Sequence, residues 1–297
     1  AMYPRVKELK IPLTRDQMML LMAAFNLILL GLETFIAHLI SGSILPYEWI
    51  PIIFGPVAGI LLLLAGLLAV GNRPLTTVIA TSVFLASILT GLVGAYFHTV
   101  RAILPYANPG SLVSVPLLVW APPVLGELTF SFVGQLGLSA AWVENPPDSG
   151  TLILLGGRKI GLPYSKTRAY FFITGMAALA TVISSVLDHA RTDFSNPWLW
   201  VPTAVGVFAT VVAVVLGALG APTRADLFTY LTAMLLTILV GMVGLGLHIS
   251  ENLTAGGMIV GERFIRGAPF LAPLLFTNIG AIGLIALMDP VEKGADP

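Results

Sequence analysis

Gly91-Leu-Val-Gly-Ala-Tyr-Phe-His98 and Gly241-Met-Val-Gly-Leu-Gly-Leu-His248 close two apolar runs of one chain. Each puts glycines four and seven residues before a histidine, on the histidine's own helical face. Runs long enough to cross about 30 Å of hydrocarbon extend outward from these segments in both directions. They cover roughly 17–41, 49–70, 77–100 and 113–138, then 170–188, 198–219, 228–249 and 268–288. This pattern predicts eight membrane helices, because a β-barrel would show short alternating segments instead. The first run is too long for a signal-peptide core and reads as a retained helix.

Composition agrees. Of 297 residues, 57% are hydrophobic and 10% charged, and the mean hydropathy is +0.93. Soluble domains carry about 25% charged residues, so a soluble fold is excluded, and so is disorder. Fifteen Lys and Arg balance fifteen Asp and Glu, leaving no basic surplus for nucleic acid. With no cysteine, disulfides, iron–sulfur clusters, thiolate zinc sites and covalently attached haem are all excluded. Arg5, Lys7, Lys10, Arg15, Arg73, Arg158, Lys159, Lys166, Arg168, Arg224 and Lys293 fall on the side of the termini. Arg101, Arg191, Arg263 and Arg266 fall opposite. The excess puts both termini in the cytoplasm of a prokaryotic plasma membrane.

A shift of 151 residues lays the chain on itself. Trp49-Ile-Pro51 meets Trp200-Val-Pro202, Gly55 meets Gly206, Arg73 meets Arg224, His38 meets His189, and Ala121-Pro122 meets Ala272-Pro273. The two glycine-histidine segments match after a slip of one residue. The expected architecture is all-α: two duplicated four-helix bundles, 1–141 and 168–297, joined by a cytoplasmic linker, 142–167.

The four histidines, His38, His98, His189 and His248, fall near the outer ends of the first, third, fifth and seventh helices. Two imidazoles at one depth in each bundle would face each other, a position that bundles use for cofactors. Below them lie small residues, among them Gly94 and Gly244, which leave room for something flat to approach the backbone. Arg101 and Arg191 follow His98 and His189 closely and are placed to pair with propionates. The pattern points to two bis-histidine b-type haems, with non-haem iron or copper as the alternative ligand of the same residues. Glu33 and Glu127 are carboxylates inside apolar runs, where such groups are functional by default. Their counterparts under the 151-residue shift are Ser184 and Asn278. Proton-coupled chemistry is therefore expected in the first bundle.

In this arrangement the chain resembles heme A synthase. The resemblance implies eight helices in two duplicated bundles and a haem held by His38 and His98. It also implies a second at His189 and His248, and an essential acid at Glu33. The expected function is that of a dihaem membrane cytochrome b exchanging electrons at the outer surface with quinol or a redox subunit. A haem-modifying enzyme, a non-haem oxidase with His38, His98 and Glu127 as ligands, and a cofactor-free transporter or assembly subunit are the alternatives. Nothing resembles a nucleotide-binding loop or a nucleophile elbow.

Overall fold

A backbone amide in hydrocarbon has no water to bond, so apolar runs must satisfy their own hydrogen bonds as helices. The computed structural model describes residues 13–39, 42–68, 73–100, 119–120, 123–254 and 260–288. Its helices are α1 (Arg15–Leu39), α2 (Trp49–Leu68), α3 (Arg73–His98) and α4 (Val124–Ala141). They continue with α5 (Lys166–Ala190), α6 (Trp200–Ala218), α7 (Arg224–Thr254) and α8 (Leu274–Ala286). Helices α1 to α7 are long and apolar enough to cross a membrane, and the chain is a multi-pass, all-α membrane protein. Outward faces carry large apolar side chains, among them Ile53, Val57, Leu89, Val211 and Leu239, where lipid takes the place of a core.

One helix starts later than its apolar run, and the described residues cover another only in part. The run expected over 113–138 is helical over Val124–Ala141, with Pro123 as its N-cap, and residues 119–120 are helical as well; 113–118 and 121–122 lie outside the described residues. The run expected over 268–288 is helical only over the 13 residues of α8, with Pro273 as its N-cap and turns before it. The cause is proline, which lacks an N–H and pushes the residue before it out of helical geometry. At about 1.5 Å per residue, α8 alone is shorter than the hydrocarbon layer. Glu127 consequently lies in the first turn of α4, not deep within a helix.

The segment between α4 and α5 also departs from a plain linker. It folds into a three-stranded antiparallel sheet, β1 (Val143–Glu144), β2 (Thr151–Ile153) and β3 (Lys159–Gly161), in the order β1-β2-β3. Val143 pairs with Ile153, and Thr151 with Gly161. The Glu144 carboxylate accepts backbone N–H bonds from Asp148, Gly150 and Lys166 at 2.7–3.0 Å. One side chain thus fixes the turn to the start of α5.

Packing repeats in kind. Helix α1 packs on α2 and α4, and α3 on α2 and α4. Likewise α5 packs on α6 and α8, and α7 on α6 and α8. The two groups meet where α4 touches α5 and α1 touches α8. One core cluster, including Leu27, Phe84 and Phe130, serves the first group. A second, including Phe171, Tyr230 and Ile282, serves the other and also takes in Met19 of α1 and Leu136 of α4.

Close approach relies on glycine. A Cβ on Gly55 would collide with the Leu27 carbonyl of α1. Gly91 lies against the Ser131 and Glu127 backbone of α4, and Gly241 lies against the corresponding Thr277 and Pro273 of α8. Gly134 packs on Ile88, as Gly280 packs on Ile238. These like contacts are spaced by intervals other than 151 residues. Gly91 corresponds to Gly241 at 150, but Ser131 corresponds to Thr277, and Gly134 to Gly280, at 146. Pro273, and not Asn278, therefore stands where Glu127 does. Gly55→Ala is expected to lower stability in detergent by ~1–3 kcal/mol, the usual cost of overpacking. Gly66→Ala, at a position with open space around it, should leave the thermal midpoint nearly unchanged.

Candidate functional site

The ends of α1 and α3 bring His38 and His98 together. Their ring centroids are 6.2 Å apart, with planes inclined at 47°. His38 Nδ1–H donates to the Thr34 carbonyl at 2.8 Å, and His98 Nδ1–H to the Pro123 carbonyl at 3.3 Å. A carbonyl only accepts, so Nδ1 carries the proton, and in each neutral ring the lone pair sits on Nε2. Tying the second ring nitrogen to a carbonyl is also how ligating histidines are commonly oriented. The Pro123 carbonyl is available because it lies in the turn that starts α4, where it also accepts from Gly126 N–H.

Glu127 stands beside this pair. Its Oε1 is 3.9 Å from His98 Nε2. The residue is 6% exposed, and its Oε2 is buried without a hydrogen-bond partner. Its side chain lies over Gly94, so closely that a Cβ there would overlap it. Glu33, a turn below His38, is in electrostatic range of both Glu127 and Asp188. The first histidine pair and both carboxylates named from the sequence therefore share one region.

The second pair is arranged differently. His248 Nδ1–H donates to the Pro269 carbonyl at 3.0 Å, which is the counterpart of the His98 bond. His189 Nδ1 is 3.4 Å from the Ser185 hydroxyl. The ring meeting His189 is that of Phe194, with centroids 6.2 Å apart in a T-shaped contact. A face-to-face meeting of His189 with His248 is not among the ring contacts of the described residues.

The glycines serve a different purpose from the one the sequence suggested. Gly94 is covered by the Glu127 side chain, and a Cβ on Gly244 would stand 2.9 Å from Pro273 Cβ. Both let α4 or α8 approach, and neither leaves a slot for a flat ring. Arg191 is engaged as well: Nε donates to the Val119 carbonyl at 2.8 Å, NH2 lies 3.8 Å from Asp188, and the guanidinium sits over the Trp120 ring. It ties the end of α5 to the chain just before α4. Arg101 lies outside the described residues.

Sequence reasoning missed a second polar group at the other end of the molecule. Lys166, 1% exposed, donates from Nζ to Asp16 at 2.5 Å and to the Trp142 carbonyl at 2.6 Å. Tyr170 donates to the other Asp16 oxygen at 2.8 Å, and buried Arg15 donates to Thr167 at 2.6 Å. Arg15 also lies over the Tyr170 ring. Charge inside a helix start was the available signal, and the basic residues there were read only as markers of orientation.

The chain has no match among known protein families, curated proteins or solved structures. The site must be read from its own chemistry. Among the described residues, no three His, Asp or Glu side chains converge as a metal ion would need, so His38, His98 and Glu127 do not form a closed three-ligand set. His38 and His98, with ring centroids 6.2 Å apart, are the residues that would hold a haem iron, and such a group would supply one-electron chemistry there.

Arg191→Leu should lower stability by ~1.5–3 kcal/mol, the worth of a hydrogen bond to a charged group, measured by thermal unfolding in detergent. A propionate-holding role would instead show as weakened cofactor retention with stability unchanged.

Proposed function

We propose that the protein is a membrane redox protein in which His38 and His98 hold the iron of one b-type haem. The observation that carries this reading is the 6.2 Å pairing of two rings whose Nδ1 protons both go to backbone carbonyls. When bound, the haem supplies reversible one-electron transfer. The chain orients both imidazoles through the Thr34 and Pro123 carbonyls and keeps a carboxylate, Glu127, beside His98. With Glu33 nearby, that carboxylate can take up or release a proton as the local charge changes. Quinol or another redox subunit at the outer surface would exchange the electrons. The second pair, with Phe194 against His189, supports a haem less well, so the reading is limited to one.

The same proposal extends to the architecture: two duplicated four-helix units, eight crossings, and both termini in the cytoplasm. A reciprocal contact supports it. Arg15 and Lys166 are 151 residues apart, as are Asp16 and Thr167. Arg15 bonds Thr167 while Lys166 bonds Asp16. Contacts exchanged in this way are what a two-fold axis between like units produces. The eighth crossing would be completed by the turns before α8.

Protein purified after haem-replete expression should show a Soret band and a pyridine haemochrome equivalent to a single haem. His98→Ala should abolish both, and His189→Ala should leave them in place. Wild-type protein with no Soret band would overturn the haem reading and favour the cofactor-free alternative.

A further inference from the structure

Helix α5 carries Lys166, Tyr170, Thr174, Thr181, Ser184 and Asp188. Their spacings of four, four, seven, three and four residues place all six on one helical face. From Lys166 to Asp188 the stripe runs about 33 Å at 1.5 Å per residue, the thickness of a bilayer's hydrocarbon core. A membrane helix facing lipid or an apolar neighbour gains nothing from such a stripe.

The stripe faces the seam between the two helix groups. At one end Lys166 and Tyr170 bond Asp16 of α1, whose side chain is 25% exposed and gives this end a connection to water. In the middle, Thr174, Thr181 and Ser184 line a cavity of about 60 Å³, partly open to the outside, between α4, α5 and α8. Thr129 and Asn278 line it too, and Asn26 of α1 donates to Asn278 at 3.1 Å. That volume has room for a few waters, and the polar groups that could hold them are Thr129, Thr174, Thr181, Ser184 and Asn278 in an otherwise apolar lining. At the far end, Asp188 continues the stripe with a side chain that is 38% exposed and lies 3.8 Å from Arg191. The same shift of 151 that relates Arg15 to Lys166 relates Glu33 to Ser184 and Asn26 to Ala177.

We infer that this seam is a proton route across the membrane. It leads from the Asp16–Lys166–Tyr170 group through the cavity at Thr174, Thr181 and Ser184 to the Asp188 carboxylate at the histidine end of α5. A proton taken up at one surface moves along hydroxyls and water and is released at the other, with no bond of the chain changed in net terms. Arg15 and Glu144 are the other charged groups facing the first end. Arg191, His189, His248 and Glu33 are those facing the second.

Full-length protein in liposomes holding a pH-sensitive dye, with a potassium diffusion potential imposed, tests this directly. Proton uptake should exceed that of empty vesicles. Thr181→Val, which keeps shape but removes the hydroxyl, should slow it by about tenfold, as expected when one hydrogen bond is lost from a barrier crossing. Thr181→Ser should restore it, and Thr90→Val on α3, away from the cavity, should match wild type. Wild-type uptake equal to that of empty vesicles, or uptake unaffected by Thr181→Val, would overturn the inference. A Thr181→Val protein that fails to reach the vesicles folded is replaced by Ser184→Ala, for which the same slowing is expected and unchanged uptake again counts against the route. The assay needs no bound haem, so it and the optical spectrum can fail separately.

Discussion

Contact between helix backbones at Gly91 and Gly241 sets the geometry of the histidine end. In lipid, helices gain little from burying apolar surface against each other, and they associate through close packing and hydrogen bonds. Glycine lets α4 lie directly against α3, and α8 directly against α7. That closeness brings the Pro123 carbonyl within reach of His98 and the Pro269 carbonyl within reach of His248. With a bulkier residue at either glycine, the fourth helix of that group would move outward. The imidazole would lose the carbonyl that fixes its proton on Nδ1. The chemistry at the histidines therefore depends on two residues that have no side chain.

Much of this was legible in the sequence. Seven helices were visible as apolar runs because hydrocarbon imposes one length and one secondary structure. The pairing of His38 with His98 followed from their shared depth on helices of like direction. Other features were hidden because they depend on where helices stop and on what lies across from them. The prolines at 269 and 273 stand in plain sight, but apolar length outweighs them in the sequence, and the last helix starts at Leu274 rather than 268. The same oversight placed Glu127 deep in a helix and paired it with Asn278. Gly94 and Gly244 were correctly seen as room for something to approach, but sequence spacing cannot tell a ring from a neighbouring helix. Arg191 was placed correctly at the end of α5, yet its partner, the Val119 carbonyl, lies 72 residues away in the chain. The small sheet between α4 and α5 was missed because strands of two or three residues leave no periodic signal.

The two groups of helices share a framework and differ in their polar side chains. Glu33 lies where Ser184 does in the other group, and Glu127 where Pro273 does. The carboxylates are concentrated on one side of the seam, and the long hydroxyl stripe lies on the other.

The Glu144 carboxylate, with its three backbone N–H bonds, makes the short sheet a clasp holding α4 to the start of α5. At that end the two groups are also joined by the ion pair between Lys166 and Asp16 and by the hydrogen bond from Arg15 to Thr167. At the histidine end the connections across the seam include a single guanidinium at Arg191. Relative motion of the groups would then behave like a hinge, with the pivot at the clasp and the widest opening at the histidines.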